Sequence, residues 1–162
     1  MNYRIGQGID THQLKECTSL IIGGVSIPFH KGSKGHSDGD VLFHAIVDAL
    51  LGSICDGDIG SHFPSNDEKW KDADSETFLI YSNQLVIENG FKIHNLDSTI
   101  ILQDPHVSSF IPKMRKNISQ ILNTNIKNIS VKATTTDHLG FIGSGEGISA
   151  TSIIMLKKIN EH

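Results

Sequence analysis

The chain has 162 residues, of which 38% are hydrophobic and 20% charged, and its formal net charge is −4. These values predict one soluble domain with a buried core, and the acidic balance argues against a nucleic-acid partner. Cys17 and Cys55 form no C-x-x-C pair and suggest no disulfide framework, which favours a reducing compartment. The N-terminus lacks a signal-peptide pattern, and the longest apolar run, residues 20–29, is too short to span a bilayer. We therefore expect a cytoplasmic protein with no membrane partner.

Hydrophobic periodicity and turn residues predict the following elements. The predicted strands are 2–9, 91–102, 129–135 and 147–157, with a hairpin over 20–29 around Gly23 and Gly24. The predicted helices are 40–54, 75–88 and 108–122. Residues 30–40 and 56–74 are expected to be loops, the second one mobile. Strands at both ends with helices between them predict a layered α/β or α+β fold, a mixed β-sheet with three helices packed on one face.

Asp10 and His12 are two residues apart on the first predicted strand, so their side chains point to the same face. His44, in the first predicted helix, could supply a third ligand. Two histidines and one carboxylate suit a divalent ion with one coordination position left open for chemistry. Since Asp104 and His106 form a second Asp-x-His pair, the pair alone is weak evidence, and the hypothesis depends on convergence with His44.

Residues 36–44 (HSDGDVLFH) place a glycine-containing loop directly before that helix. The free N–H groups and the dipole of a helix N-terminus form a natural seat for phosphate, and Asp38 or Asp40 can cap the same turn. In the open alternative, the two aspartates only cap the helix and His44 lies at the surface. An EF-hand is excluded, because neither Asp38 nor Asp56 starts the required ligand spacing.

A second polar segment, residues 133–137 (ATTTD), runs into the glycine-rich stretch 140–147 (GFIGSGEG). Four glycines in eight residues allow close approach of the backbone to a ligand, although a plain hairpin turn is equally open. The stretch is neither a Walker motif nor a dinucleotide fingerprint. Ser144 lacks the strand-to-helix elbow of a nucleophile, which disfavours covalent catalysis. The DGDIG turn at 56–60 could offer Asp58 to hydroxyl groups or be a plain surface turn.

Together these segments resemble one family, the 2-C-methyl-D-erythritol 2,4-cyclodiphosphate synthases of non-mevalonate isoprenoid biosynthesis. The matching stretches, spread over nearly the whole chain, are GQGIDTH, IIGGVSIP, KGSKGHSDGDVLFHAIVDALLG, DGDIGSHFP, DADS, IPKMR and VKATTTDHLGFIGSGEGI. The resemblance implies a phosphorus–oxygen lyase that cyclises 4-diphosphocytidyl-2-C-methyl-D-erythritol 2-phosphate and releases CMP. It also implies a homotrimer with active sites between neighbouring subunits.

The resemblance also implies roles for individual residues. Zinc would bind Asp10, His12 and His44, and a second divalent ion, Mg²⁺ or Mn²⁺, would bridge the substrate diphosphate near Asp137. His36 and Thr135 would stabilise the transition state. The implied substrate-binding residues are Asp10, His12, His36, Ser37, Asp58, Ile59, Gly60, Phe63, Pro64, Ser65, Asn66, Asp67, Leu102, Gln103, Asp104, Pro105, His106, Val107, Ser108, Ala133, Thr134, Thr135, Thr136, Asp137 and Phe141.

Among these, His36 and Ser37 would meet the 2-phosphate, and Asp58 and Gly60 the erythritol hydroxyls. Residues 63–67 would close over the substrate. Residues 102–108 would hold cytosine, and residues 134–137 would hold the diphosphate from the adjacent subunit.

The chain departs from the family at four positions. Asp137 stands where Glu is usual, which shortens its reach to the second ion, and His106 replaces a common Lys, which weakens phosphate contact at neutral pH. Ser144 replaces a common Arg and Gln7 a frequent His in a cavity on the trimer axis. We therefore predict weak or absent isoprenoid diphosphate binding in that cavity. Two other functions stay open, a zinc-dependent phosphodiesterase and a non-catalytic nucleotide- or metal-binding module.

Overall fold

The structure is a computed structural model and describes residues 2–16, 18–34, 37–64, 66–67, 70 and 73–159. Within these ranges, five strands form one sheet in the order β4-β1-β7-β5-β6. The strands are β1 (Tyr3–Glu16), β4 (Lys31–Lys34), β5 (Phe91–Ile101), β6 (Ile129–Thr134) and β7 (Gly147–Lys158). The pairs β1–β4, β1–β7 and β5–β7 are antiparallel and β5–β6 is parallel, so the sheet is mixed, as predicted. The predicted hairpin is also present, as β2 (Leu20–Ile22) and β3 (Val25–Ile27).

Three long helices cover one face of this sheet: α1 (Val41–Ser53), α3 (Ser75–Glu88) and α4 (Ile111–Ile121). Helix α1 packs on β1 and β7, α3 on α1 and β5, and α4 on β6. Glycines in β1 permit the closest of these contacts, because a Cβ at Gly6 would lie 1.9 Å from the Ala49 carbonyl oxygen and one at Gly8 2.0 Å from that of Ala45. The predicted layered fold is therefore confirmed.

The opposite face of the sheet carries apolar side chains without a covering helix in the described part of the chain. We call this surface, defined by Tyr3, Ile5, Ile9 and Ile153, the open sheet face. Its four residues are between 50% and 65% exposed. An apolar surface of this kind on a sheet is typical of an interaction site.

The structure corrects four predictions about local elements. Strand β1 does not end at residue 9 but runs to Glu16, and the predicted loop 30–40 contains β4, because these two segments pair with each other. The predicted loop 56–74 contains a short helix, α2 (Ile59–His62), which the Asp58 carboxylate caps. The glycine-rich stretch forms another short helix, α5 (Gly140–Gly143), instead of a plain hairpin turn. No helix among the described residues is long and apolar enough to cross a membrane.

Candidate active site

The three predicted metal ligands converge. The His44 Nδ1 atom lies 2.9 Å from Asp10 Oδ2, and the His12 Nε2 atom lies 3.1 Å from the same oxygen. The two ring nitrogens are themselves 3.1 Å apart. One donor atom from each residue therefore points into a single small space, with all three within 4.8 Å of one another. The alternative in which His44 is a surface residue is wrong, since the side chain is buried.

Local structure explains this convergence. Asp10 and His12 share the face of β1 that carries Gly6 and Gly8, the face on which α1 lies. His44 occupies the first turn of α1, and the helix start is fixed by Asp40, whose buried carboxylate accepts hydrogen bonds from the N–H groups of the next turn. The close approach of α1 to β1 therefore brings His44 next to Asp10 and His12.

The protonation states of the ligands suit metal binding. Burial pushes the pKa of Asp10 upward, but the hydrogen bond from His44 and the nearby charges outweigh it, so the pKa lies below its ordinary value. Burial lowers the pKa of His12, against the Asp10 carboxylate, which raises it. At neutral pH the site thus offers an ionised carboxylate and a neutral imidazole, the forms that bind a metal. Two nitrogens and one oxygen fit a zinc ion with an open fourth position.

A cavity of about 330 Å³ opens next to the three ligands. Seven predicted site residues line it: Asp10, His12, Ser37, His44, Ile59, Gly60 and Phe63. One wall is aromatic, because the Phe63 ring lies 4.4 Å from that of Phe78 and 4.9 Å from that of Trp70, centroid to centroid. Such a wall gives the cavity an apolar side in addition to its polar groups.

Other predicted residues lie beside this cavity or outside the described ranges. Asp58 caps α2 and accepts hydrogen bonds from the Ser61 backbone N–H and hydroxyl, so its carboxylate is engaged locally. Pro64, Asn66 and Asp67 follow Phe63 in the chain but do not line the cavity in the structure. The predicted residues His36 and Ser65 lie outside the described residues.

A second group of predicted residues forms a separate cavity of about 100 Å³. It is lined by Leu102, Pro105, His106, Val107, Ser108, Ala133, Thr134 and Thr135. Gln103 and Asp104 instead line a neighbouring cavity, which His106 also borders. These residues thus form a depression between the ends of β5 and β6.

The turn after β6 has an unusual backbone. Asp137 and His138 have φ angles of 50° and 64°, which residues other than glycine rarely adopt. The Thr135 hydroxyl lies 3.4 Å from the Asp137 carboxylate, and the Thr136 hydroxyl donates to the Leu139 carbonyl oxygen. Phe141 follows on α5 and is 51% exposed. Several polar side chains therefore lie close together at the carboxyl end of β6.

The two groups of predicted residues lie far apart within one chain. Asp10 pairs with Ala150, Ala150 with Ile100, and Ile100 with Ala133, so Asp10 and Ala133 stand in one row across the sheet. Three strand spacings separate them, roughly 14 Å. A single chain therefore presents the predicted metal ligands and the residues predicted to hold cytosine at separate places.

A sequence model of the YgbB family matches residues 3–157. The chain belongs to the YgbB family. Among YgbB-family relatives, the 2-C-methyl-D-erythritol 2,4-cyclodiphosphate synthase of Clostridium perfringens is 54% identical over 155 residues, covering 96% of this chain and 99% of the relative. The synthase of Bacillus cytotoxicus is 53% identical over 156 residues, with the same coverage. The resemblance drawn from the motifs is confirmed.

Solved structures of two related proteins superpose closely on this chain. IspF of Plasmodium falciparum, in a complex with CDP, superposes with a TM-score of 0.87 at 38% identity and covers 98% of each chain. The bifunctional IspDF of Campylobacter jejuni has a TM-score of 0.94 at 40% identity and covers 98% of this chain. This YgbB-family chain spans only 43% of that longer protein. The whole described fold is therefore shared with these proteins.

Sequence reasoning missed four residues near the metal ligands. Lys34, Trp70 and Phe78 line the cavity, and the Ser75 hydroxyl lies 2.9 Å from His44 Nε2. The Lys34 side chain forms no hydrogen bond or ion pair with another described residue, so its ammonium group is available to an anion. The DADS stretch marked Ser75 only as a helix start, and no local pattern signalled the other three.

Proposed function

We propose that this chain cyclises 4-diphosphocytidyl-2-C-methyl-D-erythritol 2-phosphate to 2-C-methyl-D-erythritol 2,4-cyclodiphosphate and releases CMP. One observation carries this conclusion: Asp10, His12 and His44 converge beside a cavity in a chain of the YgbB family. Membership of this family, with the names of its curated relatives, confirms the predicted activity of a lyase of isoprenoid precursor synthesis. We assign the activity to the cytoplasm.

In this reaction, an oxygen of the 2-phosphate attacks the β-phosphorus of the diphosphate. A new P–O bond closes the ring as the bond between the β-phosphorus and the bridging oxygen breaks, and CMP leaves with that oxygen. Attack of one anion on another needs alignment and charge neutralisation more than a protein nucleophile. The absence of a nucleophile elbow at Ser144 agrees with this chemistry.

Asp10, His12 and His44 are the residues we assign to a zinc ion. Bound there, zinc would supply Lewis acidity to the β-phosphate. Asp137 is the carboxylate we assign to a second divalent ion, Mg²⁺ or Mn²⁺. Its position beside Thr135 supports a contact with the diphosphate from the carboxyl end of β6.

The cavity residues orient the substrate. Ser37 and His36 hold the 2-phosphate, while Gly60 and Asp58 hold the erythritol hydroxyls at the start of α2. The aromatic wall of Phe63, Phe78 and Trp70 excludes water from the reacting groups. Thr135 and His36 stabilise the charge that develops at phosphorus.

The groove between β5 and β6 binds the nucleotide. Leu102 and residues 105–108 and 133–135 line it, and backbone groups there can recognise the cytosine edge. The relative from Plasmodium falciparum binds CDP, which supports a cytidine nucleotide as the ligand of this chain.

We further propose a homotrimer whose active sites lie between subunits. The separation of roughly 14 Å within one chain places the nucleotide groove and the metal ligands at opposite ends of a row across the sheet. A neighbouring subunit that brings its β6 edge to the β4 edge of the first would join the two halves. The open sheet face supplies the apolar surface for such an assembly.

Incubation of the purified chain with the presumed substrate and Mg²⁺, with and without a chelator, tests this function. We expect CMP and the cyclic diphosphate in equal amounts, and no product after chelation. Reaction in ¹⁸O-labelled water separates the alternatives, because a phosphodiesterase incorporates solvent oxygen whereas cyclisation does not. Binding of cytidine nucleotide without any consumption of substrate would instead identify a non-catalytic module.

A further inference from the structure

We propose that Ser75 and Asp38 are positioning residues that hold His44 in the orientation and tautomer needed for metal binding. This inference rests on the proposed metal site and adds residues to which no role is otherwise assigned. Both residues lie on the far side of the His44 ring, the side turned away from Asp10 and His12.

The hydrogen bonds behind His44 form a chain. The His44 Nε2 atom lies 2.9 Å from the Ser75 hydroxyl and 3.2 Å from the Ser37 hydroxyl. The Ser75 hydroxyl in turn donates to Asp38 Oδ1, and the Ser75 backbone N–H lies 3.2 Å from Asp38 Oδ2. Asp38 thus holds Ser75 through two bonds, and Ser75 holds the imidazole.

The direction of these bonds follows from the metal site. A ligating imidazole nitrogen carries no proton, so a metal bound at Nδ1, the nitrogen turned toward Asp10 and His12, would leave the proton of His44 on Nε2. This N–H donates to the Ser75 oxygen, which leaves the Ser75 hydroxyl proton free to donate to the Asp38 carboxylate. Partners of this kind fix the ring orientation of a ligating histidine and raise its basicity.

Ser75 is not explained by the helix that it begins. The N-cap of α3 is Asp74, whose side chain accepts a hydrogen bond from the Glu76 N–H at 3.0 Å. The Ser75 side chain therefore does not cap the helix, and it is fully buried. Ser82, on the same helix and equally buried, has no hydrogen-bond partner for its hydroxyl among the described residues. A buried serine in α3 therefore does not require a histidine partner, and Ser82 is a matched control.

Competition between the metal-free full-length protein and a chelating indicator measures zinc affinity without substrate. We expect Ser75→Ala to weaken zinc binding by about 10- to 100-fold and Ser82→Ala to leave it unchanged. Asp38→Asn keeps an oxygen acceptor but removes the charge, so it should cause a smaller loss. The double variant should bind zinc no more weakly than Ser75→Ala, because Asp38 acts through Ser75.

The visible absorption spectrum of the cobalt-substituted protein gives a second readout. We expect the ligand-field bands to shift in Ser75→Ala and Asp38→Asn but not in Ser82→Ala, since only the first two release the His44 ring. If Ser75→Ala fails to fold, Asp38→Asn decides. Wild-type zinc affinity in both variants, equal losses in Ser75→Ala and Ser82→Ala, or full additivity in the double variant would overturn the inference.

The outcome is separate from that of the proposed reaction. A wild-type protein that binds zinc but releases no CMP would contradict the proposed function but not the positioning role of Ser75 and Asp38. Tight zinc binding that is unchanged by substitution of Ser75 and Asp38 would contradict the positioning role but not the proposed function.

Discussion

Asp10 and His12 can bind one ion because side chains two residues apart on a strand share a face. His44 completes the set only because α1 lies directly on the glycines of β1. The first relation is visible in the sequence, whereas the second depends on packing. The sequence therefore suggested the three ligands, and the structure supplies their convergence within 4.8 Å.

Replacement of the third ligand tests the site directly. We expect His44→Ala to abolish both zinc binding and CMP release while the protein still folds, with an unfolding free energy lowered by about 1–3 kcal/mol because the side chain is buried. Zinc content, CMP release and urea denaturation measure the three quantities. A His44→Ala protein with normal turnover would remove His44 from the site.

Asp40 connects the start of α1 to the β2–β3 hairpin. Its Oδ1 atom accepts hydrogen bonds from the N–H groups of Gly23, Leu42 and Phe43, and its Oδ2 atom accepts that of Gly24. Full burial nevertheless raises the pKa of Asp40 to about 6, against the bonds from Gly24, Gly23 and Phe43, which lower it. The folded chain therefore binds this proton more tightly than the unfolded chain does.

This shift predicts a pH dependence of stability. Between the ordinary pKa of 3.8 and the folded value of about 6, the contribution of Asp40 to the free energy of unfolding falls as pH rises, by up to about 3 kcal/mol. We expect the unfolding free energy of the wild type minus that of Asp40→Asn to decrease from pH 4 to pH 6 and to stay constant above pH 6. Urea denaturation of both proteins across this range measures it. A difference independent of pH would contradict the assignment.

Asp48 ties α1 to α2. Asp48 lies one helical turn beyond His44, and its Oδ1 atom accepts a hydrogen bond from the Ile59 backbone N–H at 2.8 Å. We expect Asp48→Ala to loosen residues 59 and 60 and to raise KM for the substrate by about 5- to 10-fold, the worth of one hydrogen bond. Asp48→Asn keeps the acceptor oxygen and should retain a KM close to that of wild type. Equal effects of the two substitutions would show that the hydrogen bond is not the cause.

Predictability from sequence follows the range of the interactions. Helices α1, α3 and α4 and strands β5 and β7 carry their own periodic patterns and were predicted to within a few residues. Strand β4 has the sequence KGSK, without an apolar residue, and becomes a strand only through its pairing with the end of β1. Ser75 bonds to a histidine 31 residues away, a relation that no local pattern contains.

One chain alone does not form the complete active site that we propose. In the proposed homotrimer, further copies cover the open sheet face and complete the proposed nucleotide groove. We expect Ile153→Glu, which places a charge at the 52% exposed Ile153 of that face, to convert the proposed trimer to monomers and abolish CMP release. Zinc binding should persist, because the three ligands come from one chain.

Light scattering coupled to size-exclusion chromatography measures the mass of that variant. Ile87→Glu is the matched control, since Ile87 is 45% exposed but lies on α3, on the other side of the molecule. It should leave mass and activity unchanged. An Ile153→Glu protein that remains a trimer with full activity would show that the open sheet face is not the interface.

The proposed reaction requires one ion held by three side chains, and anomalous diffraction at the zinc absorption edge from zinc-loaded crystals tests this arrangement most directly. We expect one strong peak per subunit, about 2.0–2.2 Å from Asp10 Oδ2, His12 Nε2 and His44 Nδ1. A peak at another place in the molecule, or these three side chains turned apart in a zinc-loaded crystal, would contradict it.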